Sequence, residues 1–256
     1  MTSMSSGNNK AAIVIPCFNE EKRLPVAEYM QFISKQNDID LVFVNDGSTD
    51  ATLEVLYRLR DKHPSRILVL GLQQNIGKGN AVREGFSLIG GRQEYKFCGY
   101  WDADLSTPLS AVKDLMVCLE RDRQLQIVTG CRLKSLGRTI ERSSFRHYLG
   151  RVFATAASLA LGLGVYDTQC GAKIFRCSQL TSDLFKEQFL SRWLFDVEIF
   201  FRLQNICGKQ EVGVSLYEYP LKKWVHVGNS KVAWTDFFIA PFELIKLVRF
   251  YRRLHA

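Results

Sequence analysis

The 256-residue chain has no apolar stretch long enough to cross a bilayer. Its longest mostly apolar segment, Val152 to Val165, is fourteen residues, against the roughly 20 that a spanning helix needs. The opening segment, Met1 to Lys10, is polar and lacks the apolar core of a secretory signal. These absences predict a chain that is soluble or lies on a membrane without crossing it. Cysteine is present seven times, an odd number, and no pair has the CxxC spacing of a zinc or redox site. These counts argue against a disulfide framework and for a reducing compartment. There are no internal repeats, and residues 1–10 are Ser/Asn-rich and expected to be disordered.

What is present is ordinary for a globular core: 46% apolar residues and 23% charged. The length suits one large domain. The net charge of +8 points to an anionic partner, with nucleotide, anionic lipid and nucleic acid all open on charge alone.

Five short apolar runs punctuate the first half: Ala11–Pro16, Ile39–Val44, Arg66–Gly71, Lys96–Trp101 and Leu125–Gly130. They are apolar at successive rather than alternate positions, which suits parallel strands covered on both faces. Helix-spaced segments separate them, around Thr52–Leu59, Ala81–Ile89 and Leu109–Leu119. The pattern predicts an α/β fold, a mostly parallel central sheet with helices on both faces. Such sheets bind ligands beyond the carboxyl ends of their strands, where chemistry-bearing residues should then lie.

They do lie there. After the first run comes Pro16-Cys-Phe-Asn-Glu20, and after the second Asn45-Asp46-Gly-Ser-Thr-Asp50. Asp46 suits a ribose or base edge, while Ser48 and Asp50 fit ligand contact and plain helix capping equally well. After the third run, Asn75-Ile-Gly-Lys78-Gly-Asn80 opens a helix with glycines and one lysine, a place that favours an anion. Its spacing is not that of a P-loop. After the fourth run comes Asp102-Ala103-Asp104. Two carboxylates at the end of a buried strand are costly without a cation, and a hard divalent ion shared with a diphosphate would satisfy them.

The stretch from Arg132 to Arg151 is strongly basic. It holds Arg132, Lys134, Arg138, Arg142, Arg146 and Arg151 against the single acid Glu141. Arg138, Arg142 and Arg146 would share one face if helical, either solvated or turned to phosphates and lipid headgroups. Farther on, Asp167–Lys173 and Arg192–Glu198 place polar groups among apolar neighbours, and spacing alone leaves their role open. At the C-terminus, Leu244, Leu247, Val248, Tyr251 and Leu254 share one helical face, and Lys246, Arg249 and Arg253 the opposite one. Residues 233–256 therefore read as a basic amphipathic helix, its apolar stripe set in a membrane interface or packed on the domain.

Together these motifs resemble the family 2 glycosyltransferases over about Ala12 to Lys231. The segments P-x-F-N-E, N-D-G-S-T-D, G-K-G-x-A and D-A-D are typical of the wider dolichyl-phosphate branch. The segments D-T-Q-C-G-A-K, R-W-x-F-D-V-E and W-V-H-V-G-N-S-K-V resemble its glucosyl members. The resemblance implies a GT-A fold over residues 11–232 and a nucleotide-sugar donor. It implies that Pro16, Phe18, Glu20 and Asp46 hold the nucleoside, with Lys78 and Ala103 nearby. By the same resemblance Asp102 and Asp104 bind Mg²⁺ or Mn²⁺, Arg132 and Arg146 handle phosphates, and Ser230 and Lys231 close on the diphosphate. The implied reaction is inverting transfer of a hexose to a polyprenyl phosphate at the cytoplasmic face of a membrane. Glucose from UDP-glucose is the first donor and mannose from GDP-mannose the second. Many relatives carry a transmembrane anchor; none is expected here, which leaves the terminal helix as the anchor. If the acceptor were instead the hydroxyl of a glycan or small molecule, a base would be needed, and Asp196 stands in the matching place. Nucleotidyltransferases of related fold are excluded by the absence of a glycine-rich loop after the first strand. No nucleic-acid-binding signature accompanies the positive charge.

Overall fold

The computed structural model describes residues 10–141, 144–227 and 234–254, without the side chains of 144–149 and 234–238. The expectation for residues 1–10 thus lies, Lys10 apart, outside the described residues. The chain runs β1 (Ala11–Cys17), α1 (Val26–Lys35), β2 (Ile39–Asn45), α2 (Thr52–Lys62), β3 (Ile67–Gly71), α3 (Lys78–Ile89), β4 (Phe97–Trp101), α4 (Ala111–Arg121) and β5 (Ile127–Cys131). It continues with β6 (Thr139–Glu141), α5 (Ser144–Leu161), β7 (Ala172–Arg176), α6 (Gln179–Leu184), α7 (Phe195–Cys207), α8 (Lys209–Ser215), β8 (Leu216–Pro220), β9 (Lys223–Val225) and α9 (Trp234–Arg253).

The main sheet has seven strands in the order β3-β2-β1-β4-β7-β5-β8. Strands β1 to β4 are mutually parallel, with Val14 opposite both Val42 and Tyr100. Successive residues of one strand serve opposite faces. Ile13 and Ile15 join a core with Tyr29, Phe32, Leu56 and Leu115, whereas Ala12 and Val14 join another with Val82, Phe86, Phe195 and Ile199. This is why the strand segments are apolar at successive positions, with few exceptions such as the ion-paired Asp40 of β2. Burying each such Val, Ile or Phe contributes about 1.5–3 kcal/mol.

The structure departs from the expected sheet at β7, which runs antiparallel between β4 and β5. Its sequence, AKIFR, carries a lysine mid-strand and gives no apolar run. The strand is possible because the Lys173 ammonium, fully buried, is satisfied internally by an ion pair with Asp196 and by the carbonyls of Thr168 and Cys170.

Two further expectations are corrected. Arg138 does not share a helical face with Arg142 and Arg146: it precedes β6, which pairs in parallel with β9, and its guanidinium donates to the Pro220 carbonyl. Arg142 and the Arg146 side chain lie outside the described residues. The terminal stripe is also not the exposed one. Leu244, Leu247 and Tyr251 are buried against Ala157, Leu161, Val197 and Phe200, with Val248 packed at the edge and only Leu254 left open. The packed alternative holds because α5 and α7 offer a complementary apolar surface, and the Tyr251 hydroxyl reaches the buried Glu198 carboxylate at 3.0 Å. No described helix is long and apolar enough to cross a membrane.

Candidate active site

The parallel pairing of β1 with β2 and β4 brings the loops after these strands to one edge. The first two loops clasp each other. Asn19, in the left-handed region at φ 50°, donates its N–H to Ser48 Oγ at 2.9 Å and accepts the Thr49 N–H at 2.9 Å. Glu20 donates its N–H to Thr52 Oγ1 at 2.7 Å. Ser48 thus binds across the loops, and Asp50 does so too, accepting the Glu21 N–H at 3.2 Å while its other oxygen holds the Thr52 N–H at 3.1 Å. Pro16 and Phe18 are half-buried on this edge and Glu20 is buried.

Asp46, expected at the nucleoside, is buried and pins the turn that opens α3. Its carboxylate accepts the N–H groups of Ile76 at 2.8 Å and Gly77 at 3.1 Å, and the Asn75 amide at 3.0 Å. Burial pushes its pKa above the usual range, only partly offset by those N–H groups and by the charge of Arg192. Gly47 permits this approach. At φ +62° it lies so close to the next loop that a Cβ would fall 2.3 Å from the Gln74 carbonyl carbon.

Lys78 begins α3 and reaches across to form an ion pair with Asp102, its ammonium 5.5 Å from the centre of the Phe195 ring. Burial alone would lower the Lys78 pKa, but the charges of Asp102, Asp196 and Asp104 outweigh it and the net shift is upward. Burial likewise raises Asp102; Lys78 opposes this and Asp104 adds to it, leaving the carboxyl above its usual range. The acidic turn thus sets two carboxylates, Asp102 and Asp104, against one lysine.

The turn itself is tightly built. Leu105 adopts φ 52°, a left-handed conformation that a side chain rarely takes without constraint. Asp104 Oδ1 accepts the Ser106 N–H at 2.9 Å, the Ala103 carbonyl accepts the Tyr29 hydroxyl at 3.1 Å, and the Trp101 indole donates to the Thr107 carbonyl at 2.7 Å. Asp102 donates its N–H to the Gly171 carbonyl at 2.9 Å.

Among the described residues no group of three or more His, Cys, Asp or Glu side chains converges on one point, so a protein-only metal cage is absent there. Mg²⁺ and Mn²⁺ do not require one. They are held by one or two carboxylates together with substrate phosphates. Asp102 and Asp104, hard oxygen donors on one rigid turn with incompletely balanced charge, fit such an ion.

Arg132, just beyond β5, is committed to Asp167, with Nε to Oδ2 at 2.6 Å and a terminal nitrogen to Oδ1 at 2.7 Å. Asp167 and Tyr166 are held in turn by Glu218, which accepts both backbone N–H groups at 2.7 Å. Arg132 also lies 5.5 Å from the Trp224 ring centre. Beside it, Arg151 stacks on Tyr166 at 3.7 Å and donates to the Tyr166 carbonyl. A small cavity is lined by both arginines and by residues 166–169.

Asp196, on the first turn of α7, is buried and accepts from both Tyr100 and Lys173. It is a structural partner of Tyr100 and Lys173 rather than an open carboxylate. Ser230 and Lys231 lie outside the described residues, as does the side chain of Arg146.

Three contributors escaped the sequence reading. Gly171 abuts the Asp102 carboxylate. Lys173 secures the loop that carries Asp167 and Gly171. Arg192 donates to Asn75 and lies against Gly77, joining the α7 approach to the Asp46 turn. Their segments, Asp167–Lys173 and Arg192–Glu198, stood out as polar groups in apolar surroundings, but only the fold shows their targets.

Comparison with known proteins follows the same lines. The family described as glycosyl transferase family 2 matches residues 12–181. The dolichyl-phosphate beta-glucosyltransferase of Dictyostelium discoideum is 32% identical over 249 residues, covering 92% of this chain and 71% of the relative. The human protein of that name is 33% identical over 246 residues, covering 88% of this chain and 74% of the relative. Among solved structures, glucosyl-3-phosphoglycerate synthase from Mycobacterium tuberculosis with Mg²⁺ and uridine diphosphate superposes with a TM-score of 0.67 at 16% identity, over 95% of this chain and 79% of that one. Its complex with Mn²⁺, UDP-glucose and phosphoglyceric acid gives 0.65 at 15% identity, over the same shares. That likeness carries the fold, which is GT-A.

Proposed function

The chain belongs to glycosyl transferase family 2, and from that premise we propose that it moves a hexose from a nucleoside diphosphate to a polyprenyl phosphate, with inversion. Glucose from UDP-glucose is the first donor. The acceptor class is supported by the relatives named for dolichyl phosphate, which match nearly the whole chain. The observation that carries the chemistry is the Asp102–Asp104 turn, braced by Lys78 and Gly171 at the carboxyl edge of a parallel sheet.

The roles proposed for the described residues are supported by their place at this edge, and those of Arg146, Ser230 and Lys231 by the family resemblance. Pro16, Phe18 and Glu20 line the nucleoside end, and Asp46 holds the turn from which Lys78 projects. Asp104, with Asp102, would hold Mg²⁺ or Mn²⁺, which when bound neutralises charge on the departing diphosphate. Lys78 orients the Asp102 carboxylate before the donor arrives. Ser230 and Lys231 would close on the diphosphate. Arg132 and Arg146, with Arg151 beside the first, would orient the acceptor phosphate. A phosphate monoester has its second pKa near about 6, so it is largely a dianion at neutral pH and attacks without a protein base. Orientation then matters more than proton removal. The buried ion pair of Asp196 with Lys173 is consistent with a reaction that asks no base of it. The setting would be the cytoplasmic face of a membrane.

The test is a transfer assay with purified protein, Mg²⁺ or Mn²⁺, a polyprenyl phosphate, and UDP-glucose beside GDP-mannose, the organic phase read by mass spectrometry. A glucosyl-phosphoryl lipid from UDP-glucose alone is expected. A mannosyl lipid would change the donor. Donor hydrolysis with no lipid product would overturn the acceptor and move the search to hydroxyl acceptors.

A further inference from the structure

Once its inner stripe has packed on α5 and α7, helix α9 still presents large apolar side chains to solvent. Phe242 is 74% exposed, Ile245 48%, Phe250 44% and Ile239 44%, with Leu254 open at the end. At 100° per residue Phe242, Ile239, Phe250 and Ile245 fall on the outward side, and Lys246, Arg249, Arg252 and Arg253, all exposed, are interleaved among them. The one acid of residues 239–254, Glu243, is half-buried at the margin. The adjoining helix α5 exposes Val152 and Leu159, at 68% and 77%. A monomeric soluble protein rarely leaves so many large apolar groups open on one element.

We propose that this outward face of α9 is a docking surface for an anionic phospholipid bilayer, lying in the plane of the headgroups. The inference rests on the lipid-acceptor reading for its purpose, but the face is chosen by its own composition. Rings and branched chains insert at the acyl boundary, while the long lysine and arginine stems cover apolar surface and keep their charges among the lipid phosphates. A second copy of the chain fits the same face poorly. A two-fold contact would set four cations against four cations with one marginal acid to offset them, and like-charge contact opposes association. An anionic lipid surface supplies the missing charge. The face differs from the Leu244–Leu247–Tyr251 stripe, which is committed to the core.

Vesicle flotation tests this without any turnover. Full-length protein is mixed with vesicles of phosphatidylcholine alone or of equal parts phosphatidylcholine and phosphatidylserine. Binding to the anionic vesicles and little to the neutral ones is expected. Each of Lys246→Gln, Arg249→Gln and Arg253→Gln should weaken partition by about fivefold, because a basic residue near an anionic leaflet contributes that much. Phe242→Ser with Phe250→Ser should weaken it by about tenfold or more. Both sets are on the surface, so melting temperature and transfer to a water-soluble short-chain prenyl phosphate should be unchanged. Equal binding to both vesicle types, or no loss in the variants, overturns the proposal. So does a concentration-dependent dimer in lipid-free buffer that dissociates on Phe242→Ser. Loss of all transfer activity in the unmodified protein would instead overturn the reaction, leaving vesicle binding to stand or fall separately.

Discussion

Gly171 lies so close to Asp102 that a Cβ at its position would fall 2.0 Å from the Asp102 Oδ2 atom. The backbones are also joined, Asp102 donating its N–H to the Gly171 carbonyl. The D-T-Q-C-G-A-K segment is therefore a wall of the acidic turn. Gly171→Ala should push the carboxylate off its position. Catalytic constellations are sensitive at the scale of 1 Å, so kcat with Mn²⁺ should fall by about 10²-fold, with circular dichroism unchanged. Wild-type kinetics in this variant would show that the Asp102 orientation is immaterial.

Asp104→Asn removes a charge from the turn and keeps its shape, since an amide oxygen can still accept the Ser106 N–H. Transfer should drop by about 10²–10³-fold, the cost of losing one electrostatic element of such a site. Steady-state rates across a Mn²⁺ titration, beside a melting curve that does not move, would establish it. Full activity with metal present would remove Asp104 from the site.

Lys173 and Asp196 form a buried ion pair that holds β7 and the 168–170 carbonyls. Breaking it by Lys173→Met leaves a buried carboxylate unpaired and should cost about 3–5 kcal/mol in urea unfolding. Adding Asp196→Asn should recover a large part of that loss. If Asp196 works only as this partner, the single Asp196→Asn change lowers stability but leaves the shape of the pH–rate profile intact. Loss of the acidic limb would instead mark it as a base acting on a hydroxyl acceptor.

Glu218 orders Tyr166 and Asp167, and burial raises its pKa; the two N–H groups it accepts pull the other way, and the charge of Asp167 adds to the rise. A carboxyl raised in the folded state contributes stability that is complete below its unfolded value, about 4.3, and is lost as pH climbs through the folded value. Unfolding free energies measured from pH 4 upward should decline more steeply in the wild type than in Glu218→Gln. The difference between the two curves isolates the residue from Asp46 and Asp102, which titrate in the same direction. Parallel curves would mean that Glu218 titrates normally.

Much of the sheet could be read from the chain because local pattern and burial agree there. Ala11–Pro16, Ile39–Val44 and Lys96–Trp101 are largely apolar since each strand feeds two cores, and Asp46 and Asp102 follow the second and third of these runs at one edge. Strand β7 could not be read this way. Lys173 violates the strand pattern, and only the arrival of Asp196 from a position 23 residues away makes it tolerable. The terminal helix shows the same limit: its apolar and basic faces were plain in the sequence, but whether the apolar stripe meets a membrane or the domain depends on a complementary surface on α5 and α7.

The sequence by itself determined the α/β class, the places of the first five strands along the chain, the acidic turn and the family, because these rest on short-range periodicity and contiguous motifs. Tertiary structure alone decided that Lys78 serves Asp102, that Asp167 holds Arg132, that Gly171 backs the acidic turn, and that Leu247 rather than Phe242 enters the core. Those pairings join residues 24 or more positions apart, or turn on which of two apolar faces finds a partner. Such choices are settled by packing and charge compensation in three dimensions, which no local pattern encodes.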